Sequence, residues 1–366
     1  MSEIIGDVPK LSELLRWMAE TGASDLHLSH NTPPVFRRHG ALAPAPGLPP
    51  MTSQDLWGVL EALTNEVDRE RFERDRELDK ALELAGVGRF RVNAAFERGH
   101  LYFSFRLVND AVMSIEDLGL PSVCNRLTQL PRGLVLVTGP TGSGKSTTLA
   151  SMIDRINERD ARHVVTVEDP IEFVHRNKRS IIEQREVGVD THSFAGALRH
   201  VLRQDPDVIL VGEMRDLETM ASAITAAETG HLVFATLHTP DAPQTIDRIV
   251  DAFPSYQQQQ VRLQLSMVVE GILSQILIPT ESGDGRVAAC EVMIGTPAIR
   301  NLIRESKTYQ VPMMMATGAA IGMRTLDQEL ADLVKRRAIS HETAFAYARS
   351  TEELGRLLGG SAAYAV

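Results

Sequence analysis

The residues with the clearest chemical potential form a short glycine-rich loop at positions 139–147. Its sequence, GPTGSGKST, contains the pattern G-x-x-x-x-G-K-[ST], in which backbone N–H groups surround phosphate oxygens. Lys145 can reach the β- and γ-phosphate oxygens, and the Ser146 hydroxyl can ligate Mg²⁺. We therefore predict a nucleotide-binding loop of nine residues: Gly139, Pro140, Thr141, Gly142, Ser143, Gly144, Lys145, Ser146 and Thr147.

A buried strand and a helix must flank this loop if its N–H groups are to face a phosphate. The preceding run LVLV at 134–137 is wholly apolar, as in a parallel strand that is buried on both faces. After the loop, four apolar residues have the spacing of one buried helical face, Leu149, Met152, Ile153 and Ile156. The helix N-terminus would direct its dipole at the phosphate. An accidental glycine-rich match would lack this context.

Two further strand-like runs end in acidic residues. Residues 163–167 precede Glu168 and Asp169, and residues 208–212 precede Glu213. Open α/β sheets bind ligands at the carboxyl ends of their strands, so we expect these acids beside the loop. Glu213 would deprotonate or orient the attacking water. Glu168, a second catalytic candidate, and Asp169 would support Mg²⁺ together with Ser146, partly through water.

Two histidines bracket the run 232–237, which we interpret as the last core strand. His238 follows this strand and could sense a γ-phosphate at the same edge, while His231 precedes it. Both are catalytic candidates, although a single histidine is more often structural. Neither has a partner at metal-ligand spacing, which argues against zinc. Asp169 also has an alternative role as a helix N-cap, with Pro170 as the first helical residue.

Length and composition indicate an ordinary globular protein. The chain has 366 residues, of which 43% are hydrophobic and 23% charged, so two or three domains are expected. Its net charge of −10 argues against direct nucleic-acid binding. No run approaches the ~20 apolar residues of a membrane span, and the first residues lack a signal-peptide pattern. We expect a cytoplasmic protein in which Cys124 and Cys290 are packing residues.

The region before residue 110 has its own helix and strand signals. A hairpin is predicted from strands at 88–94 and 101–107, and it carries Arg89, Arg91 and Arg106. Their guanidinium groups could bind phosphate oxygens or pair with local carboxylates. Residues 110–121 have loop signals and are predicted to form an interdomain linker. From residue 134 onward, strands and helices alternate, which favours a parallel sheet with crossover helices.

The last hundred residues are predicted to form helices and turns. We expect a long helix over 256–277, a turn at 283–285, helices near 326–335 and 342–348, and a mobile tail from Gly359. Residues 298–305 read AIRNLIRE, with Thr296 as N-cap and an apolar face of Ile299, Leu302 and Ile303. The polar residues of this segment would remain available to a partner: Arg300, Asn301, Arg304 and Glu305.

Together these motifs resemble the secretion and pilus motor ATPases, and within them the PilT-like retraction ATPases of type IV pili. The loop at 139–147 is similar to the family's Walker A motif, and TVEDPIE at 166–172 to its Asp box. Residues 205–216 resemble its Walker B motif, with Gly212 where an Asp usually stands, and HLVFATLHT at 231–239 its His box. The segment at 298–305 looks like the retraction signature: Ala298, Ile299, Arg300, Asn301, Leu302, Ile303, Arg304 and Glu305. Two cysteines cannot build the four-cysteine zinc element of assembly motors.

This resemblance implies an α/β architecture of two domains. An N-terminal PAS-like α/β domain would occupy residues 1–109, followed by the linker at 110–121 and a C-terminal RecA-like P-loop ATPase domain with a parallel sheet at 122–366. It also implies a homohexamer in which an arginine of one subunit's N-terminal domain reaches the nucleotide of the next subunit. Arg89, Arg91 and Arg106 lie in the matching region.

The implied function is ATP hydrolysis with Mg²⁺ that powers pilus retraction and twitching motility. The motor would be cytoplasmic, peripheral at the inner face of the cytoplasmic membrane, and bound to an inner-membrane pilus platform protein, with a paralogous accessory ATPase as an additional partner. Two alternatives remain open. One is an assembly, secretion or DNA-translocation motor of the same superfamily, and the other is a nucleotide-binding regulator without productive turnover.

Overall fold

The chain forms two compact units, Met1–Ala111 and Val112–Val366. The structure is a computed structural model that describes residues 11–38, 40–108 and 111–359. The elements of the N-terminal unit are α1 (Leu11–Glu20), β1 (Asp25–Ser29), β2 (Val35–Arg38), β3 (Ala41–Pro44), α2 (Ser53–Leu63), α3 (Glu66–Asp75), β4 (Glu77–Leu84), β5 (Gly88–Glu97) and β6 (His100–Val108).

The N-terminal unit is built on an antiparallel sheet with the strand order β3-β2-β1-β6-β5-β4. Successive side chains of a strand point to opposite faces, and here one face packs on the helices while the other is polar. Leu26, Phe103 and Phe105 are buried on the first face. Arg91 and Arg106 are opposite each other on β5 and β6, and both are exposed. The predicted hairpin is confirmed.

The C-terminal unit alternates strands and helices. Its elements are α4 (Val123–Leu127), β7 (Gly133–Thr138), α5 (Lys145–Arg159), β8 (His163–Glu168), β9 (Ile181–Glu186), α6 (Phe194–Val201), β10 (Val208–Val211), α7 (Leu217–Glu228), β11 (Leu232–Leu237), α8 (Ala242–Asp251), α9 (Ser255–Val268), β12 (Val269–Pro279), β13 (Arg286–Ile294), α10 (Pro297–Arg304), α11 (Val311–Ala316), α12 (Leu326–Lys335), α13 (His341–Tyr347) and α14 (Thr351–Leu357). Two short 3₁₀ helices span Thr308–Gln310 and Ala319–Ile321.

A sheet with the order β13-β12-β7-β11-β10-β8-β9 forms the centre of this unit. All neighbouring strands are parallel except β12 and β13. Leu134 and Leu136 of β7 pack in one apolar cluster with residues of α6 to α10. Val135 and Val137 pack in another with residues of α4 and α5. Burial on both faces explains why the run 134–137 has no polar residue.

The order of the strands decides where the functional loops meet. β7, β11, β10 and β8 are consecutive parallel neighbours. The loops that follow them therefore leave the sheet at one edge. These loops carry the glycine-rich segment, His238, Glu213 and Asp169, and Glu168 is the last residue of β8.

The predicted helix over 256–277 is wrong in its second half. The helix α9 ends at Val268, and the chain continues as β12, whose residues pair with β7 on one side and β13 on the other. Val261, Leu265, Val268 and Val269 have helical spacing, which misled the interpretation. The apolar run after Val269 gains its hydrogen bonds from two neighbouring strands, and these nonlocal contacts override the local pattern. The run 232–237 is accordingly not the last strand of the sheet.

Three other expectations have clear outcomes. No helix begins at Asp169 in the described part of the chain, so the N-cap alternative for this residue is wrong. The helices predicted near 326–335 and 342–348 are confirmed, and α14 follows them. Cys124 and Cys290 are buried free thiols, as expected of packing residues. Of the tail predicted to be mobile, positions 360–366 lie outside the described residues.

A helix that crosses a membrane needs about 20 predominantly apolar residues. Among residues 11–38, 40–108 and 111–359, no helix is both long enough and apolar enough to cross a bilayer.

Candidate active site

The glycine-rich loop joins β7 to α5 in a conformation that requires glycine. Gly139, Gly142 and Gly144 have φ angles of 139°, 77° and 87°, which residues with a Cβ rarely adopt. At Gly139 a Cβ would also lie 2.1 Å from the carbonyl oxygen of Gln275. Gly144 is the N-cap of α5, so the loop ends where a helix presents free N–H groups.

Lys145 begins α5 and turns back over the loop. Its Nζ donates to the carbonyl oxygens of Gly139, at 2.8 Å, and Pro140, at 3.0 Å. Burial lowers the pKa of Lys145, whereas the charges of Glu213 and Glu172 act in the opposite direction. The loop backbone thus holds the ammonium group close to the acidic residues of the neighbouring strands.

A cavity of about 520 Å³ opens at this edge of the sheet, within the usual size range of ligand pockets. It brings together most of the residues predicted from the sequence. Its lining includes Thr141, Gly142, Gly144, Lys145, Ser146, Thr147, Glu168, Asp169, Glu213 and His238. This arrangement suits a polyphosphate accompanied by a divalent cation, because it combines backbone N–H groups, one ammonium group, one hydroxyl and several carboxylates.

Glu213 follows Gly212 after β10, and its carboxylate is engaged on both oxygens. Arg215 Nη2 lies 2.7 Å from Oε2, and His238 Nε2 lies 3.1 Å from Oε1. Burial alone would raise the pKa of Glu213, but the hydrogen bond from Arg215 and the charge of His238 outweigh it and lower the pKa. At neutral pH the group is a carboxylate, which can accept a hydrogen bond from water.

Glu168 and Asp169 differ in their surroundings. Oε1 of Glu168 accepts hydrogen bonds from Thr166 Oγ1 at 2.6 Å and Gln184 Nε2 at 3.1 Å. Burial raises the pKa of Glu168, and these hydrogen bonds only partly oppose the effect. Asp169 is exposed at the mouth of the cavity, where its carboxylate is accessible to a cation.

The donor set at this edge fits Mg²⁺ that is shared with phosphate. Mg²⁺ prefers oxygen ligands and is usually held by one or two protein groups plus substrate phosphates. The Ser146 hydroxyl and the Asp169 carboxylate line the cavity. Within the described ranges, no three His, Cys, Asp or Glu residues are placed to hold a metal ion by themselves.

The two histidines lie at opposite ends of β11. His238 is beside Glu213, whereas His231 precedes the strand and is absent from the cavity lining. Nδ1 of His231 lies 2.9 Å from the Ala226 carbonyl oxygen and 3.2 Å from Thr229 Oγ1. A strand of six residues separates the two rings by roughly 20 Å. The structure therefore does not bring His231 to the site, and its contacts are those of a structural residue at the end of α7.

The three arginine candidates lie on β5 and β6 of the N-terminal unit. Arg106 Nε donates to Asp25 Oδ1 at 2.8 Å, which is the local ion pair considered as the alternative. Arg91 is exposed, and no side-chain partner is found for it within the described residues. Arg89 is half-buried. Arg91 therefore has the guanidinium group best placed to meet another molecule.

The segment AIRNLIRE forms α10 and its C-cap. Ile299 and Ile303 are fully buried, and Leu302 packs against the same cluster, as predicted. Arg300 is not available to a partner, contrary to the expectation. Its guanidinium group donates to the carbonyl oxygens of Gly295, Ser266 and Met267 and to the Glu270 carboxylate.

The three other polar residues of α10 remain on its surface. Asn301, Arg304 and Glu305 are exposed. They contact one another, with Asn301 Nδ2 3.0 Å from Glu305 Oε1 and Arg304 Nη2 3.4 Å from Asn301 Oδ1. These three side chains are the part of the segment that a partner could bind.

Comparison with known proteins places this site in a family. The model of the family described as type II/IV secretion system protein matches residues 103–344. The chain belongs to this family. It is 51% identical over 334 residues to the type IV pilus retraction ATPase PilT of Pseudomonas aeruginosa, covering 91% of this chain and 96% of that one. It is 48% identical to the twitching motility protein of Neisseria gonorrhoeae, covering 92% and 89% of the two chains. The predicted resemblance to PilT-like ATPases is confirmed.

A solved structure supports the fold. The crystal structure of the pilus retraction motor PilT with bound ADP matches with a TM-score of 0.89 and 47% identity, and the match covers 95% of this chain and 99% of that one. The predicted fold class is confirmed: an N-terminal PAS-like α/β domain and a C-terminal RecA-like P-loop ATPase domain with a parallel sheet.

The structure shows several residues that support the site and that the sequence analysis did not identify. Arg215 is bound to Glu213, Gln184 to Glu168, and Gln275 to the glycine-rich loop. Thr236 Oγ1 donates to the Gly212 carbonyl oxygen at 2.5 Å and fixes the turn before Glu213. Arg215 could have been identified because it stands two residues after Glu213. Gln184 and Gln275 lie on β9 and β12, which the sequence analysis did not predict as strands.

Proposed function

We propose that the chain is an ATP-hydrolysing motor that powers the retraction of type IV pili. The observation that carries this proposal is the convergence of Lys145, Ser146, Glu213 and His238 on one cavity. The ATPase activity and the retraction function expected from the sequence are confirmed by the family and its relatives. The roles of individual residues, the oligomer and its partners are the proposals developed below.

The glycine-rich loop and Lys145 bind the phosphates of ATP. Support comes from the three glycines with positive φ angles and from the start of α5 at this loop. Lys145 would exchange its hydrogen bonds with the Gly139 and Pro140 carbonyl oxygens for phosphate oxygens, which are stronger acceptors.

Glu213 orients the attacking water. The lowered pKa of Glu213 makes its carboxylate a weak base at neutral pH, so its main action is to accept a hydrogen bond from the water and align it. Both carboxylate oxygens are already engaged by Arg215 and His238. Each carboxylate oxygen can accept a second hydrogen bond, so Glu213 can hold the water while Arg215 and His238 keep the carboxylate in place.

Ser146 and Asp169 would hold Mg²⁺, with Glu168 acting through water. Mg²⁺ supplies charge neutralisation at the β- and γ-phosphate oxygens. The support for these two direct ligands is that Ser146 and Asp169 both line the cavity and carry oxygen donors. The raised pKa of Glu168 and its bonds to Thr166 and Gln184 favour an indirect role.

The working form is a homohexamer in which Arg91 acts on a neighbouring subunit's nucleotide. Its exposure and its lack of a side-chain partner among the described residues support this choice over Arg106, which is bound to Asp25. Arg89 and Arg106 would add positive charge to the surface around Arg91. We propose the domain bounds 1–109, 110–121 and 122–366. The division of the chain after Ala111 supports a boundary near residue 110, whereas residues 112–121 group with the second compact unit.

The motor is cytoplasmic and docks peripherally at the inner face of the cytoplasmic membrane. Its partners are an inner-membrane pilus platform protein and a paralogous accessory ATPase. The exposed residues Asn301, Arg304 and Glu305 supply a polar surface for such a contact.

The hydrolysis proposal is tested with Glu213→Gln, which keeps the shape of the side chain and removes its charge. Hydrolysis should fall by about 100-fold or more, while ADP binding is kept because Glu213 is not part of the phosphate-binding loop. A Glu213→Gln protein that hydrolyses ATP at the original rate removes Glu213 from this role.

The retraction proposal is tested in a deletion strain. Loss of a retraction motor should leave abundant static pili and abolish twitching motility. A strain without pili would instead identify an assembly motor, and pili with normal retraction would refute the proposed load.

A further inference from the structure

Gln275 of β12 contacts the glycine-rich loop that follows the neighbouring strand β7. β12 runs parallel to β7, with Ser274 opposite Thr138, so Gln275 lies beside the first residue of the loop. The residue is 3% exposed. Its Nε2 donates to the Ser143 carbonyl oxygen at 2.8 Å, and its Oε1 accepts from Thr148 Oγ1 at 2.8 Å. One buried amide therefore ties the loop to the first turn of α5.

The bond to the Ser143 carbonyl group fixes the orientation of a whole peptide unit. In a planar trans peptide, the N–H group points away from the C=O group. Because the Ser143 carbonyl oxygen is held toward Gln275, the N–H of Gly144 points to the opposite side of the loop. Gly144 lines the cavity, whereas Gln275 does not. The bond thus presents the Gly144 N–H to the space where a phosphate would lie.

This peptide unit needs such a restraint because Gly144 directly follows it and a second glycine, Gly142, precedes Ser143. Gly142 and Gly144 have no Cβ to limit their φ and ψ angles, and both have positive φ angles. The Gln275 amide also passes so close that a Cβ on Gly144 would lie 2.8 Å from Nε2. Gly144 and Gln275 therefore act together. The missing Cβ of Gly144 leaves room for the Gln275 amide, and the amide fixes the Ser143–Gly144 peptide through its hydrogen bond to the Ser143 carbonyl oxygen.

We propose that Gln275 is a positioning residue for phosphate binding, which holds the Ser143–Gly144 peptide so that its N–H faces the bound nucleotide. The inference rests on the proposed nucleotide-binding function of the loop. Gln275 does not touch the phosphate itself. A backbone N–H on the phosphate binds the ground state and the transition state alike, so its loss raises Kd and KM and leaves kcat nearly unchanged.

The most informative variant is Gln275→Glu. It keeps an oxygen for Thr148 and replaces the donor to Ser143 with a carboxylate oxygen, which repels the carbonyl group. Gln275→Leu removes both hydrogen bonds. Thr148→Val keeps the hydrogen bond from Gln275 to the Ser143 carbonyl oxygen but removes the one from Thr148 to Gln275 Oε1. The matched control is Ser274→Ala, which removes a buried hydrogen bond to Thr138 one residue away without touching the loop.

The measurements are the Kd for ADP by displacement of a fluorescent ADP analogue, KM and kcat for ATP, and the melting temperature without nucleotide. For Gln275→Glu and Gln275→Leu we expect Kd and KM to rise about tenfold, the loss of one hydrogen bond to a charged group, with kcat within about twofold. Thr148→Val should give a smaller rise in Kd. Ser274→Ala should lower the melting temperature and leave Kd unchanged.

Two results would overturn the inference. One is an ADP affinity of both Gln275 variants equal to that of Ser274→Ala, and the other is a fall in kcat with an unchanged KM. Should the Gln275 variants fail to fold, an unchanged Kd in Thr148→Val also counts against it. The proposed function fails in a different way, if the unaltered protein does not bind ADP or if Lys145→Ala binds it equally well.

Discussion

Arg300 offers the sharpest stability prediction, because the structure gives it a role opposite to the one expected from the sequence. Its guanidinium group donates to the carbonyl oxygens of Ser266 and Met267 in the last turn of α9, to Gly295 before α10, and to Glu270 of β12. The last carbonyl groups of a helix have no partner within the helix. Arg300 therefore caps α9 and ties it to α10 and to the start of β12.

The magnitude follows from the number of contacts and their exposure. The side chains of Arg300 and Glu270 are 20% and 28% exposed. The energy of their contact should therefore lie between that of a surface ion pair and that of a fully buried one. At roughly 0.5–1 kcal/mol for each of the four hydrogen bonds, Arg300→Ala should lower the free energy of unfolding by about 3 kcal/mol. For a unit of this size, that corresponds to a fall in melting temperature of about 6–12 °C.

The assay is differential scanning calorimetry of the full chain, with Arg304→Ala as the matched control. Arg304 lies one turn further along the same helix, is exposed, and makes one long contact, at 3.4 Å, to Asn301. Arg304→Ala should change the melting temperature by about 2 °C or less. Arg300→Lys should recover only part of the loss, since an ammonium group cannot reach all four acceptors. Equal melting temperatures for Arg300→Ala and Arg304→Ala would refute this reasoning.

Three further predictions follow from the site. Gly139→Ala should abolish ADP binding because its Cβ would meet the Gln275 carbonyl oxygen. Gly142→Ala has no atom within 4 Å of its Cβ, so it should lower the free energy of unfolding only by the strain of a positive φ, about 1 kcal/mol. ADP titration and thermal melting measure both effects. His238→Gln should lower kcat and His231→Gln should not, which steady-state ATPase assays decide; a large loss in His231→Gln contradicts its structural assignment. Because Arg215 and His238 lower the pKa of Glu213, the carboxylate is lost only as the pH falls below the ordinary range of a glutamate, and Arg215→Ala should move the acid limb of the kcat profile to higher pH. An acid limb that stays in place shows that Glu213 does not control it.

The sequence by itself determined the chemistry at the edge of the sheet. The glycine-rich loop, Lys145 and Ser146 are contiguous in the chain, and their conformation is set by the strand and helix that flank them. Glu213 and His238 could also be placed, because each follows a short apolar run and the carboxyl ends of parallel strands meet at one edge. These inferences need only local patterns and one general rule of sheet topology.

The tertiary structure alone decided which residues support that chemistry. The run after Val269 has the spacing of a continuing helix, and only its pairing with β7 and β13 makes it a strand. Gln275 and its hold on the Ser143 carbonyl group follow from that pairing. In the same way, three of the four partners of Arg300 come from α9 and β12, which are 30 to 34 residues earlier in the chain. Apolar periodicity shows that a face is buried, but it does not show which polar side chain of one segment meets which group of a distant segment, so no local pattern could predict these hydrogen bonds.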